Sequence, residues 1–359
     1  MGNKIIPKIL NTKLKDDLSF LSNLISDDQI EIIDIYQQLL GEYLVVKNPV
    51  LKEKGKLDIE LKKLIKELEI KNGDLKKCGT WIYYPWSRRL IHCLTEEEFY
   101  SLRTARNNNL VTVKEQKLLK NFRVGIIGLS VGQISALTLS ISGMCKRMKL
   151  ADPDVIEATN LNRIFGGIDA YGQKKTDFLA KKIYDIDPFA ELKLYPFSIN
   201  KDNLNTFLLD DYKVDAVIDA FDDVRMKIDL RIVAKKLRIP VFMATDLGDG
   251  AIIDIERFDI DPNLPIFNGR IEKKDVSNIT EKMTYNEVVQ IATKMIGVEN
   301  IPKRMIDSLK LVGQELSGHP QLALASFLGG SMMAYAVKQV ALGKVLKSER
   351  VYISFENLL

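Results

Sequence analysis

The chain has 359 residues, 46% hydrophobic and 28% charged, an ordinary globular composition with ample material for a buried core. The formal net charge is only +4, and the lysines are interleaved with acids, which excludes the basic footprint of a nucleic-acid binder. The three cysteines form no CxxC pair, which argues against structural zinc and predicts a reducing, cytoplasmic setting.

Residues 13–46 carry helical spacing in Leu18, Leu21, Leu24, Ile25, Ile32, Ile35 and Leu39, and predict helix with Ser26 or Asp27 capping its second half. Residues 57–71 read as a second amphipathic helix stopped by Gly73. The aromatic, β-branched run GTWIYYPWSRRLIHCL predicts a pair of strands with Pro85 at the turn. Thr95 with Glu98 forms a capping box for a helix to about Arg106, and Thr112 with Glu115 a second one.

From Arg123 the pattern alternates. RVGII, RMKLAD, VDAVIDAF and IPVFMAT read as strands separated by helices, which means a parallel sheet with helices on both faces. AIIDIERFD and VYISF read as added strands, and residues 284–297, 302–316 and 320–342 as helices. The segment Val124–Cys145 has no charged residue and could span a bilayer by length. Gly125, Gly128, Ser130, Gly132 and Ser135 interrupt it, so it reads as buried strand, tight turn and buried helix, with no membrane partner expected.

The turn is GLSVG, Gly128 to Gly132, between strand and helix. Free N–H groups at a helix start make an anion site. Ser130 stands where a GxGxxG turn has its second glycine, so the motif alone is weak. The same residues spell the GxSxG elbow of a serine hydrolase, with Asp219, Asp222 or Asp246 as acid and His319 as the only downstream histidine. Asp152 at the end of the next strand is placed to bond a ribose, in NAD as well as in ATP.

The residues that follow narrow the choice. Asp152-x-Asp154 precedes Asn160-Leu161-Asn162-Arg163, then Gly172-Gln173-Lys174-Lys175, Ile186-Asp187-Pro188 and Asp219-x-x-Asp222-Asp223. In order and spacing these resemble the signature motifs of the ThiF/MoeB/HesA superfamily of ubiquitin-activating-type adenylyltransferases. The resemblance implies an α/β fold, with a Rossmann-like, mostly parallel sheet flanked by helices and an α-rich N-terminal extension. Residues 1–102 would then form a helical recognition or dimerisation region with short strands, and 103–359 the ATP-binding domain.

The resemblance also implies chemistry. The C-terminal carboxylate of a ubiquitin-like protein or small peptide would be adenylated by ATP with Mg2+. Gly128, Ser130, Gly132, Asp152, Asp154 and Asn160 would hold the nucleotide, Arg163 and Lys175 would offset charge, and Asp222 would hold the metal. Arg106 would reach the site of a second protomer in a homodimer. No cysteine follows Cys145, so no thioester step is expected. WIYYPWSRRLIH and DIERFDID resemble a subgroup fused to nitroreductase-like flavin domains, which implies a separate flavin protein as a further partner. A scaffold that has lost turnover, a serine hydrolase and an NAD-dependent oxidoreductase are the rival readings.

Overall fold

The computed structural model describes residues 5–278, 284–309 and 311–358. The chain divides into two compact units, one of Met1–Gln116 with Ala180–Ala190, the other of Lys117–Leu179 with Glu191–Leu359.

In the first unit the elements run β1 (Lys8–Leu10), α1 (Lys15–Ser26), β2 (Glu31–Asp34), α2 (Tyr36–Lys47), α3 (Val50–Glu53), α4 (Leu57–Asn72), β3 (Thr80–Tyr84), β4 (Arg89–Cys93) and α5 (Glu96–Arg103). The strands form a sheet of order β1-β3-β4-β2. The helical spacing over 13–46 holds in α1 and α2, but a strand lies between them. Glu31–Asp34 is a strand that pairs parallel with β4, with Ile32 opposite Leu90. A β-branched EIID run satisfies its backbone in the sheet, and that pairing overrides the local helical spacing. Leu10, Leu21, Leu24, Trp81 and Leu90 form the core against this sheet. Gly73 ends α4 in the left-handed region at φ 81°, as expected of a helix-terminating glycine. Thr95 and Glu98 make the capping box of α5, which stops at Arg103, short of Arg106.

His92 on β4 is 1% exposed. Its ring stacks between Trp81, centroid 4.3 Å away, and Tyr36 at 4.7 Å. Both ring nitrogens face acceptors: Nδ1 lies 2.9 Å from Asp34 Oδ1 and Nε2 2.8 Å from the Cys78 carbonyl. The residue is a structural pin of the hairpin.

The second unit contains β5 (Arg123–Ile127), α7 (Val131–Ile141), β6 (Arg147–Ala151), β7 (Glu191–Tyr195), α9 (Leu204–Leu209), β8 (Ala216–Asp219), α10 (Val224–Leu237), β9 (Val241–Leu247) and β10 (Gly250–Glu256). Then come α11 (Lys273–Asn278), α12 (Tyr285–Ile296), α13 (Lys303–Leu309), α14 (Ala323–Ala341), β11 (Glu349–Ser354) and α15 (Phe355–Leu358). Helices α6 (Val113–Asn121) and α8 (Lys175–Ile186) begin in one unit's span and end in the other's. The sheet order is β11-β10-β9-β8-β5-β6-β7. Strands β7, β6, β5, β8 and β9 are parallel, and β10 and β11 add antiparallel at one edge. This is the expected Rossmann-like sheet. Helix α13 is shorter than the span 302–316, because Gly313 takes φ 82° and residues 312–316 turn instead.

On one face of the sheet the fully buried Phe207, Val217, Met243 and Phe258 pack with α9 and α10. On the other face α7 and α14 lie together, with Ser135 Oγ donating 3.0 Å to the Gly330 carbonyl. The apolar stretch from Val124 is therefore core strand and core helix. Among the described residues no helix is long and apolar enough to cross a membrane.

Candidate functional site

The strand order reverses at β5 and β8, whose chains lead to opposite faces. Ligands of open α/β sheets bind outside the carboxyl ends of the strands at such a point. A cavity of about 280 Å3 opens there. Its wall takes Gly128 and Ser130 from the turn after β5, Asp152 and Asp154 from the end of β6, and Asp222 from the end of β8. Arg163 from the long β6–α8 connection and Lys175 at the start of α8 complete it. Seven of the residues singled out in the sequence thus meet at one place.

The turn is built by close approach. Gly128 has φ 88°, and a Cβ there would run into the Ala220 carbonyl. Gly132 lies where a Cβ would come 2.8 Å from Ile126 Cγ2 and 3.3 Å from Ala220 Cβ. Gly132 therefore serves to seat α7 on the sheet rather than to line the cavity. Ser130 is the N-cap residue of α7 but makes no side-chain cap.

Asp152 is 5% exposed. Its Oδ2 accepts the Leu129 N–H at 2.7 Å and its Oδ1 the Asp154 N–H at 2.9 Å. Burial pushes its carboxyl up, opposed by Lys175 and those two N–H groups. It ties the glycine turn to the β6 end. Lys175 is 8% exposed. Its Nζ donates to Asp154 Oδ2 at 2.8 Å and lies 3.6 Å from Asp152 Oδ1. Arg163 is half-buried, with one guanidinium nitrogen donating to the Thr159 carbonyl and to Asn162 Oδ1. Asn160 stands behind the wall. It is 8% exposed, and its Oδ1 accepts the Glu157 N–H at 3.1 Å, shaping the loop that carries Arg163.

Asp222 is exposed on the wall and makes no ion pair among the described residues. Mg2+ asks for one or two carboxylates with phosphate and water oxygens, so an open carboxylate beside an anion-binding turn fits that ion. Asp219, three residues earlier, is not part of the wall. It is 0% exposed and paired with Lys227 and Arg231, each at 2.6 Å. Arg106 belongs to the first unit, on the short turn Ala105–Asn107.

No histidine lines the cavity, and His319 is exposed. The Ser–His–acid arrangement of a hydrolase is therefore not assembled around Ser130. The wall also includes Phe197, Ser198 and Ile199 after β7, Phe221, and Gln321 before α14. Sequence reasoning missed these. The strand ELKLY that leads to 197–199 is itself not among the strands read from the sequence.

The comparisons with known proteins bear on the family and the fold. The chain is 32% identical over 345 residues to "Uncharacterized protein MT1398" of Mycobacterium tuberculosis, covering 96% of this chain and 44% of that protein. It spans less than half the length of that relative. It is 31% identical over 168 residues to "Adenylyltransferase and sulfurtransferase UBA4" of Scheffersomyces stipitis, 45% of this chain and 37% of that protein. The Escherichia coli tRNA N6-threonylcarbamoyladenosine dehydratase TcdA, solved in complex with AMP, superposes with a TM-score of 0.50 at 18% identity. That match covers 70% of this chain and 98% of TcdA. Residues 103–344 match the model of the ThiF family, and the chain belongs to that family.

Proposed function

We propose that this protein is an ATP- and Mg2+-dependent adenylyltransferase that activates a carboxylate as its acyl-AMP. The observation that carries the reading is the gathering of Gly128, Ser130, Asp152, Asp154, Arg163, Lys175 and Asp222 on one cavity at the strand ends. The substrate would be the C-terminal carboxylate of a peptide or ubiquitin-like protein. A carboxylate oxygen bonds to the α-phosphorus of ATP, the bond to the β-phosphate bridging oxygen breaks, and pyrophosphate leaves. The carboxylate is already ionised at neutral pH, so no general base is required.

The obstacle is charge, since an anion must approach a polyanion. Arg163 offers a planar fork to phosphate or carboxylate oxygens, and Lys175 lies beside Asp152 and Asp154. The N-terminus of α7 adds its free N–H groups. The wall itself carries Asp152, Asp154, Asp222 and Asp223 against Arg163 and Lys175, so four carboxylates face two cations. Further positive charge would favour a triphosphate there. Asp222 would hold Mg2+, which would supply part of that charge. The family resemblance adds Arg106 of a second copy, which would make the working form a homodimer. The described cysteines, Cys78, Cys93 and Cys145, are all buried, and burial raises each thiol, so no exposed thiolate is offered for a thioester. A separate flavin protein and a cytoplasmic setting complete the reading.

The test is ligand-linked stability followed by exchange. Mg-ATP at about 100 times its dissociation constant adds roughly 2.7 kcal/mol to unfolding, and NAD adds nothing. Arg163→Ala and Asp222→Ala abolish the gain. With a pool of C-terminally free peptides, the protein exchanges labelled pyrophosphate into ATP. Stabilisation by NAD alone, or full exchange in Asp222→Ala, overturns the assignment.

A further inference from the structure

Among the described residues two buried polar atoms of opposite character lack hydrogen-bond partners: Arg163 Nε, from the cavity wall, and Asp246 Oδ1, near the end of β9. A buried polar atom without a partner costs free energy, and in native proteins it calls for an explanation such as an absent ligand. Asp246 lies on β9 and is 7% exposed. Its other oxygen, Oδ2, accepts the Ser326 hydroxyl of α14 at 2.6 Å. That bond fixes the carboxylate and leaves Oδ1 alone. β8 and β9 pair Asp219 with Met243, so Asp222 and Asp246 stand three residues further along each chain. The two charges that act on the Asp246 carboxyl from outside are Arg163, which lowers it, and Asp222, which raises it, while burial pushes it up most. Both of those residues line the cavity. Gln321, also on the wall, is tied by its carbonyl to Asn162 Nδ2 at 2.9 Å, so the Arg163 loop and the start of α14 border the same ground.

A ligand that satisfies both atoms must offer an acceptor to Arg163 and a donor to Asp246. Resting on the adenylation reading, we propose that Asp246 is a specificity residue, whose free oxygen accepts an N–H next to the carboxylate that Arg163 holds. The site then prefers acids whose carboxylate is followed by an N–H, as in the last residue of a peptide, and rejects those without one. Sites built to hydrogen-bond an N–H discriminate strongly against analogues that lack it, because a buried group is left unpaired.

The experiment measures binding to the full chain loaded with a non-hydrolysable Mg-ATP analogue. The probes are N-acetylglycine and acetoxyacetate, which differ only in an ester oxygen replacing the N–H. N-Acetylglycine binds about tenfold tighter or more, and in Asp246→Ala the two bind alike. Should that variant not fold, the wild-type ratio and a reduced ratio in Ser326→Ala decide. Equal binding of the two probes by wild type, or binding of neither while the nucleotide analogue binds, overturns the role of Asp246 alone. Weakened Mn2+ binding in Asp246→Asn with an unchanged probe ratio makes it a metal ligand and also overturns the proposal. Failure of the nucleotide analogue to bind sinks the adenylation reading itself.

Discussion

Arg231 of α10 provides a quantitative test of what holds the second unit together. It is 0% exposed. It donates to Asp219 Oδ2 and to Glu256 Oε2, both at 2.6 Å, and its guanidinium lies 3.7 Å from the centroid of the Phe267 ring. Glu256 in turn accepts the Phe267 N–H at 2.6 Å. Replacing Arg231 by Met fills similar space but leaves Glu256 without its cation and Asp219 with Lys227 alone. Removing one partner of a buried pair costs about 3–5 kcal/mol, mostly for the charge left behind. For a unit of this size that is a fall of about 6–20 °C in melting temperature, read by circular dichroism. Adding Glu256→Gln to Arg231→Met should restore part of the loss, because the stranded charge is then gone. The Mg-ATP stabilisation should also shrink, since Asp219 ends the strand that delivers Asp222 to the cavity. A loss under about 1 kcal/mol, or no recovery in the double variant, would show that the network is not what fixes this corner.

Other consequences follow from the same structure. Burial pushes the Glu256 carboxyl from 4.5 up to about 7, against the pull of Arg231. The folded state then binds that proton more tightly than the unfolded chain, so its contribution is full below about pH 4.5 and disappears as pH rises through about 7. The urea midpoint should therefore fall between pH 5 and 7.5, with a smaller slope in Glu256→Gln; equal slopes refute the assignment. Gly128→Ala places a Cβ against the Ala220 carbonyl at φ 88° and should cost about 1–3 kcal/mol, with loss of the Mg-ATP effect. An unchanged midpoint with intact nucleotide binding contradicts the turn geometry. His92→Leu removes one buried and one part-buried hydrogen bond and the stack on Trp81, a loss of about 2–4 kcal/mol. It should appear as an earlier transition in tryptophan fluorescence, and an unshifted transition would show the stack to be unimportant.

What was legible in the sequence was whatever is decided by near neighbours. Gly128 marks a turn because its φ of 88° and the nearby Ala220 carbonyl leave no room for a side chain. Thr95 and Glu98 announce a helix start because the two side chains satisfy each other's backbone. The alternation after Arg123 announces parallel strands because each needs a crossover. What failed was decided at long range. Glu31–Asp34 is a strand only because β4 lies open beside it. The wall residues Phe197 and Gln321 carry no pattern of their own and reach the cavity through the placement of β7 and α14. The motif Asp219-x-x-Asp222 likewise hides a division of labour, one carboxylate locked in the core and the other open to a ligand.

That division extends across the sheet. Asp152, Asp219 and Asp246 occupy the carboxyl ends of β6, β8 and β9, and all three are buried. Each raises the same electrostatic problem, a negative charge removed from water. At Asp152 two backbone N–H groups and Lys175 answer it. At Asp219 Lys227 and Arg231 answer it with full ion pairs. At Asp246 the Ser326 hydroxyl and the more distant Arg163 answer it in part, and among the described residues one oxygen is left without a hydrogen-bond partner. The first two are solved within the fold and can hold the turn and the strand end rigid without a ligand. On the proposal made above, the third is solved by a ligand. Rigid strand ends beside one unmet charge are what a binding site needs: a scaffold that does not move, and a place where the ligand's hydrogen bond replaces a deficit rather than competing with an existing partner.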